Sequence, residues 1–104
     1  MVSRRPRAKR LAVQVDVVLE ANQAHYVVES GDLSESGIFL HTRNRFPLGT
    51  KLRMVFGKPP HLDKVRADGI VKRLVQGKGM GVEFTKLSPE DHETMQRFFQ
   101  SNHL

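Results

Sequence analysis

The residues of this chain whose types and spacing could do chemistry are Asp32, Ser34 and Ser36, bracketed by Gly31 and Gly37 in the run Gly31-Asp32-Leu33-Ser34-Glu35-Ser36-Gly37. Asp and Ser side chains bond readily to nearby backbone in turns. Glycine supplies positive φ, or room for something to come close. The stretch therefore reads either as a structural turn or as a polar shelf facing a ligand. A second group is the basic set Arg4, Arg5, Arg7, Lys9 and Arg10, which contains no acid. Such an arm suits an anionic partner: phosphate, nucleic acid or an acidic membrane surface. Its plainer reading is a solvated tail.

Other reactive patterns are missing from the sequence. The five histidines, His25, His41, His61, His92 and His103, include no pair at the close spacing of a zinc site, and there is no cysteine. His25 and His41 could meet across strands, but two surface histidines are the simpler reading. Ser34 lacks the nucleophile-elbow pattern and has no obvious base nearby. Gly77-Lys78-Gly79-Met80-Gly81 is glycine-rich but joins two strand-like runs, so it lacks the helix N-terminus of a phosphate loop. These absences argue against an enzyme.

The 104 residues fit one domain with one modest core. No apolar run approaches the roughly 20 residues of a membrane helix, and the charged N-terminal residues have no apolar run behind them as a secretory signal would. The cytoplasm is the expected location, consistent with the lack of cysteine. The net charge of +6 is concentrated at one end: five of the 17 Lys and Arg stand in the first ten residues, leaving 12 against 11 acids. Residues 1–10 are thus expected to form a flexible basic arm on a nearly neutral domain, 11–104.

The elements that must position these residues are mostly strands. Leu11, Val13, Val15, Val17 and Leu19 alternate with a second set, which predicts one half-buried strand to Glu20. Ala21-Asn22-Gln23 predicts a hairpin turn, His25 to Glu29 a second strand, and Ile38 to Thr42 a third, with Asp32 to Gly37 interrupting. A loop over 43–50 precedes a fourth strand through Leu52, Met54 and Phe56, broken by Gly57-Lys58-Pro59-Pro60. Val65 to Val75 predicts a long fifth strand in which Gly69 marks a bulge or a close approach. Gly77-Lys78-Gly79 predicts a hairpin into a sixth strand, Met80 to Phe84, with Val82 and Phe84 on one face. Ser88-Pro89-Glu90-Asp91 is a helix start, for a helix running from about 89 to 102. Its stripe of Met95, Phe98 and Phe99, with His92 one turn earlier, is expected to seal the open end of the sheet. The expected fold class is all-β: a six-stranded antiparallel β-barrel, or a strongly bent sheet, with a C-terminal α-helix.

Arg10 before an alternating strand, then Asp32-x-Ser34-x-x-Gly37, then Gly79-Met80-Gly81-Val82-Glu83-Phe84 and a capped helix resemble a PilZ domain along essentially the whole chain. The resemblance implies a PilZ-like six-stranded β-barrel with a C-terminal helix. It also implies a ligand, the bacterial second messenger cyclic di-GMP, bound by an N-terminal Arg-x-x-x-Arg and by the Asp-x-Ser-x-x-Gly motif. The second motif is complete here. The first departs from the pattern: four residues before Arg10 stands Pro6, flanked by Arg5 and Arg7. The ligand residues implied are Arg5, Arg7, Arg10, Asp32, Ser34 and Gly37, with no cofactor and no metal.

The implied roles suit the residue types. Arginine forks pair with guanine N7 and O6, stack on bases and grip phosphates. Asp32 could accept from guanine N1–H and N2–H, Ser34 could bond base or phosphate, and Gly37 could admit the ligand to the backbone. Ordering of the arm over the ligand would then signal to a protein partner. A rival reading is a PilZ-like adaptor without ligand, acting by protein contacts in pilus, flagellar or motility machinery. A nucleic-acid-binding barrel is disfavoured by the neutral body and by one tyrosine and no tryptophan. No DNA or RNA and no membrane insertion are expected, and the chain is expected to be a monomer or homodimer.

Overall fold

The computed structural model describes residues 10–44 and 46–101. Among the described residues there are seven strands: β1 (Arg10–Leu11), β2 (Asp16–Ala21), β3 (Ala24–Ser34), β4 (Gly37–His41), β5 (Lys51–Lys58), β6 (Leu62–Val75) and β7 (Gly79–Leu87). One helix, α1 (Pro89–Ser101), follows. Every pairing is antiparallel. The order β3-β2-β5-β6-β7-β4 closes on itself through β3–β4, so six strands make the barrel and two-residue β1 adds to β3. Closure removes the edges that an open sheet would expose.

Alternation sets the inward face. Val17, Leu19 and Ala21 of β2 are buried, as are Leu52, Met54 and Phe56 of β5 and Leu62, Val65, Ala67 and Val71 of β6. Phe56 stacks on Phe84 of β7, with centroids 5.8 Å apart. The β2–β3 hairpin turns on Asn22 and Gln23, both at positive φ (51° and 68°), as a two-residue turn matching strand twist requires. Gly69 combines both features expected of it. It sits at a register shift between β6 and β7, and a Cβ there would press on Val82 and Met54.

The first predicted strand, Leu11 to Glu20, is instead two. The break over 12–15 faces Ser30, whose side chain is wholly buried. Its hydroxyl accepts from the Val15 amide at 2.9 Å and donates to the Val13 carbonyl at 2.6 Å. A side chain thus takes ladder positions that backbone would otherwise fill. Strand alternation carries no sign of this, because the substitute partner lies 15 residues away.

The second predicted strand is longer than expected. β3 runs on through Asp32 to Ser34, with a register shift between Ser30 and Asp32. Its first half pairs with β2 and its second with β4, which closes the barrel. Gly57 does not end β5; the chain turns at Pro59-Pro60. β6 and β7 also extend past their predicted ends, to Leu62 and Leu87.

Helix α1 begins as the sequence indicates. The Ser88 hydroxyl accepts from the Asp91 amide at 3.1 Å and donates to its carboxylate at 2.9 Å. Met95, Phe98 and Phe99 are buried in the same core as Leu62 and Val65. The described helix ends at Ser101, and Asn102 lies outside the described residues.

Candidate functional site

The motif occupies the end of β3, the start of β4 and the two-residue turn Glu35-Ser36 between them. Ser34 is buried, and its hydroxyl is the hub of that turn. It accepts from the Gly37 amide at 3.1 Å and the Ser36 amide at 3.2 Å. It also lies 3.3 Å from the Gly37 carbonyl, to which it donates, and 3.2 Å from the Ser36 hydroxyl. A hydroxyl has one proton and two lone pairs, so Ser34 is occupied within the chain. The turn reading of Ser34 therefore holds on geometry.

Gly37 has a structural need of its own. It pairs with Glu83 across β4–β7, and a Cβ there would run into the Val82 carbonyl. The Ser36 carbonyl accepts from the Phe84 amide at 2.9 Å. The glycine thus permits close strand approach at this corner. Asp32, half-buried, stands opposite Phe39 on β4.

The arm's root is brought to this corner by backbone pairing. Arg10 is the Cα partner of Ser34, and Leu11 of Leu33. Of the residues implied as ligand contacts, Arg10, Asp32, Ser34 and Gly37 therefore converge. Arg5 and Arg7 lie outside the described residues.

Beside the turn is a shallow groove of about 340 Å³ that contains residues not singled out in the sequence. Its wall includes Ser36, Phe39, Lys72, Arg73, Gly81 and Glu83. Gly81 pairs with Phe39 on one side and Arg73 on the other. A Cβ on Gly81 would make only ordinary contact with Arg73, so glycine leaves an open floor between a phenyl ring and a guanidinium. Lys72 reaches Glu83 at 3.9 Å, and Lys72 and Arg73 are exposed. The signal that could have found them is two successive cations near the end of a strand, opposite Gly-x-Gly. A register shift between Val71 and Arg73 obscured which face they share.

A larger cleft of about 620 Å³ lies between the β4–β5 loop and the β6–β7 hairpin, lined by His41, Arg43, Asn44, Leu74 and Lys78 among others. Asp32, Ser34 and Gly37 do not border it. His25 and His41 do not meet: His25 lies 3.3 Å from Glu20, and His41 packs at Gly31 with its Nδ1 3.4 Å from the Lys78 carbonyl. Among the described residues no three His, Cys, Asp or Glu cluster as a metal site, and no helix is long and apolar enough to cross a membrane.

The family model described as PilZ domain matches residues 4–101. No curated protein matches in sequence. Among solved structures, the Bacillus subtilis inhibitor of motility MotI/DgrA superposes with TM-score 0.78 at 18% identity, over 95% of this chain and 52% of that one. The PilZ domain of CeSA from a cellulose-synthesizing bacterium gives 0.64 at 16% identity, over 92% and 100%. PlzA of Borreliella burgdorferi, in complex with c-di-GMP, gives 0.65 at 15% identity, over 91% and 41%. The chain thus spans about half of the first and two-fifths of the last. At these identities the likeness is one of fold.

Proposed function

The chain belongs to the PilZ domain family, a family of non-catalytic cyclic di-GMP receptors and adaptors, and from that premise we propose that it binds cyclic di-GMP at the β3–β4 turn. The observation that carries this reading is the pairing of Arg10 with Ser34, which brings the root of the basic arm to the motif and the adjoining groove. Arg10, with Arg5 or Arg7, grips the phosphates and stacks on a base. Asp32 accepts from a guanine edge. Arg73 and Lys72 supply further positive charge, and the Gly81 floor receives part of the ligand. Ser34 and Gly37 serve by shaping the turn, so their contribution to binding passes through backbone geometry. Ordering of the arm alters the surface seen by a separate protein partner, and the domain acts in the cytoplasm.

Pro6, where the family pattern has arginine, favours the alternative of an adaptor without ligand. One calorimetric titration with cyclic di-GMP decides between them, run on the wild type and on Arg10→Ala and Asp32→Ala. The receptor reading expects a dissociation constant on the order of 1 μM, about −8 kcal/mol, weakened in both variants while their folds persist. Absence of heat at high ligand excess rejects it in favour of the adaptor.

A further inference from the structure

Away from the groove floor on β7, the outer face of β3, β2, β5 and the first half of β6 carries three cross-strand rows. The first is His25, Glu20, Arg53 and Asp68, base beside acid along the row, with His25–Glu20 at 3.3 Å and Arg53–Asp68 at 4.0 Å. The second is Val27, Val18, Val55 and Arg66. Val27 is 79% and Val18 44% exposed, and they are direct cross-strand partners. The third begins with Glu29, Asp16 and Gly57, beyond which the chain comes to Asp63 and Lys64, both exposed. A shallow depression of about 530 Å³ includes Val18, Val55 and Arg66 in its lining.

Water-facing valines at 79% and 44% exposure contribute nothing to the barrel's own core. What singles out an occupant is the antisymmetry of the rows about the line between β2 and β5. A second copy turned by 180° about that line sets Glu20 against Arg53 and His25 against Asp68. Val18 then meets Val55, and Val27 meets the aliphatic stem of Arg66. In the first two rows no like charges are opposed. We propose that this face is the contact between two copies of the chain, in a two-fold dimer with aligned sheets packed face to face. The contact leaves the groove and the Arg10–Ser34 corner uncovered, so it is independent of ligand binding.

A convex barrel face places the interface at the small end of stable contacts, with a dissociation constant of about 10 μM. The test is sedimentation equilibrium on the full chain without ligand, up to on the order of 100 μM, where such an interface is mostly dimeric. Glu20→Lys and Arg53→Glu each repeat their repulsion twice across a two-fold axis. Each alone is expected to raise the dissociation constant at least about tenfold. Mixed in equal amounts they restore both cross-copy pairs and are expected to associate as a heterodimer, an outcome that misfolded variants cannot produce. A monomeric wild type at the highest concentration overturns the proposal. So does a wild-type dimer whose two variants still self-associate, or fail to associate when mixed, since the contact is then elsewhere.

Discussion

The Ser34 hydroxyl accepts the Gly37 amide at 3.1 Å, and so closes the turn that joins β3 to β4 beside Arg10. The same oxygen serves the Ser36 amide. Removing the hydroxyl leaves two amides short of a partner in a partly buried turn. Ser34→Ala is therefore expected to lose about 1–2 kcal/mol of stability without any ligand present, read by urea unfolding. An unchanged midpoint would refute the structural role. Loss of ligand affinity in this variant alone does not identify Ser34 as a ligand contact.

Ser30 carries a heavier duty, since its wholly buried hydroxyl bonds both the buried Val15 amide and the Val13 carbonyl. Ser30→Ala should cost about 2–3 kcal/mol, close to the full penalty of orphaning buried backbone groups. Faster hydrogen exchange at Val15 would locate the loss. Exchange unchanged there would show that the backbone repairs the gap itself.

Gln23 sits at φ 68°, a region in which its Cβ is crowded. Gln23→Gly should stabilise the chain by roughly 0.5–1 kcal/mol, since the relief of about 1–2 kcal/mol exceeds the added flexibility of the unfolded chain. A lower urea midpoint would contradict this. The hairpin lies away from the groove, so cyclic di-GMP affinity should not move.

Arg73 borders the groove opposite Phe39 across the bare Gly81, and its side chain is exposed. Under the receptor reading, Arg73→Ala should weaken cyclic di-GMP binding by about tenfold or more, the value of one charge-assisted contact. The melting temperature without ligand should stay within about 2–4 °C, as for a surface substitution. Unaltered affinity would remove Arg73 from the site.

Much of the barrel was legible in the sequence because its cause is local. Alternation of Val17 and Leu19 with Val18 and Glu20 follows from the two-residue period of a strand beside water. The Ser88 cap with Pro89 and Asp91, and the Met95, Phe98 and Phe99 stripe, are equally local. The motif at Asp32, Ser34 and Gly37 was visible as a pattern for the same reason. What only the tertiary structure decided depends on partners distant in sequence. Ser30 breaks the first strand because Val13 and Val15 lie against it, and Gly37 is required because Val82 comes from β7. Arg73 joins Phe39 and Gly81 only once β4, β7 and β6 are laid side by side. The sequence alone determined which way the alternating apolar residues of β2, β5 and α1 turn, since one chain segment and water suffice for that. Which functional groups meet was decided by closure of the barrel, because contact across strands is a property of register and not of spacing along the chain.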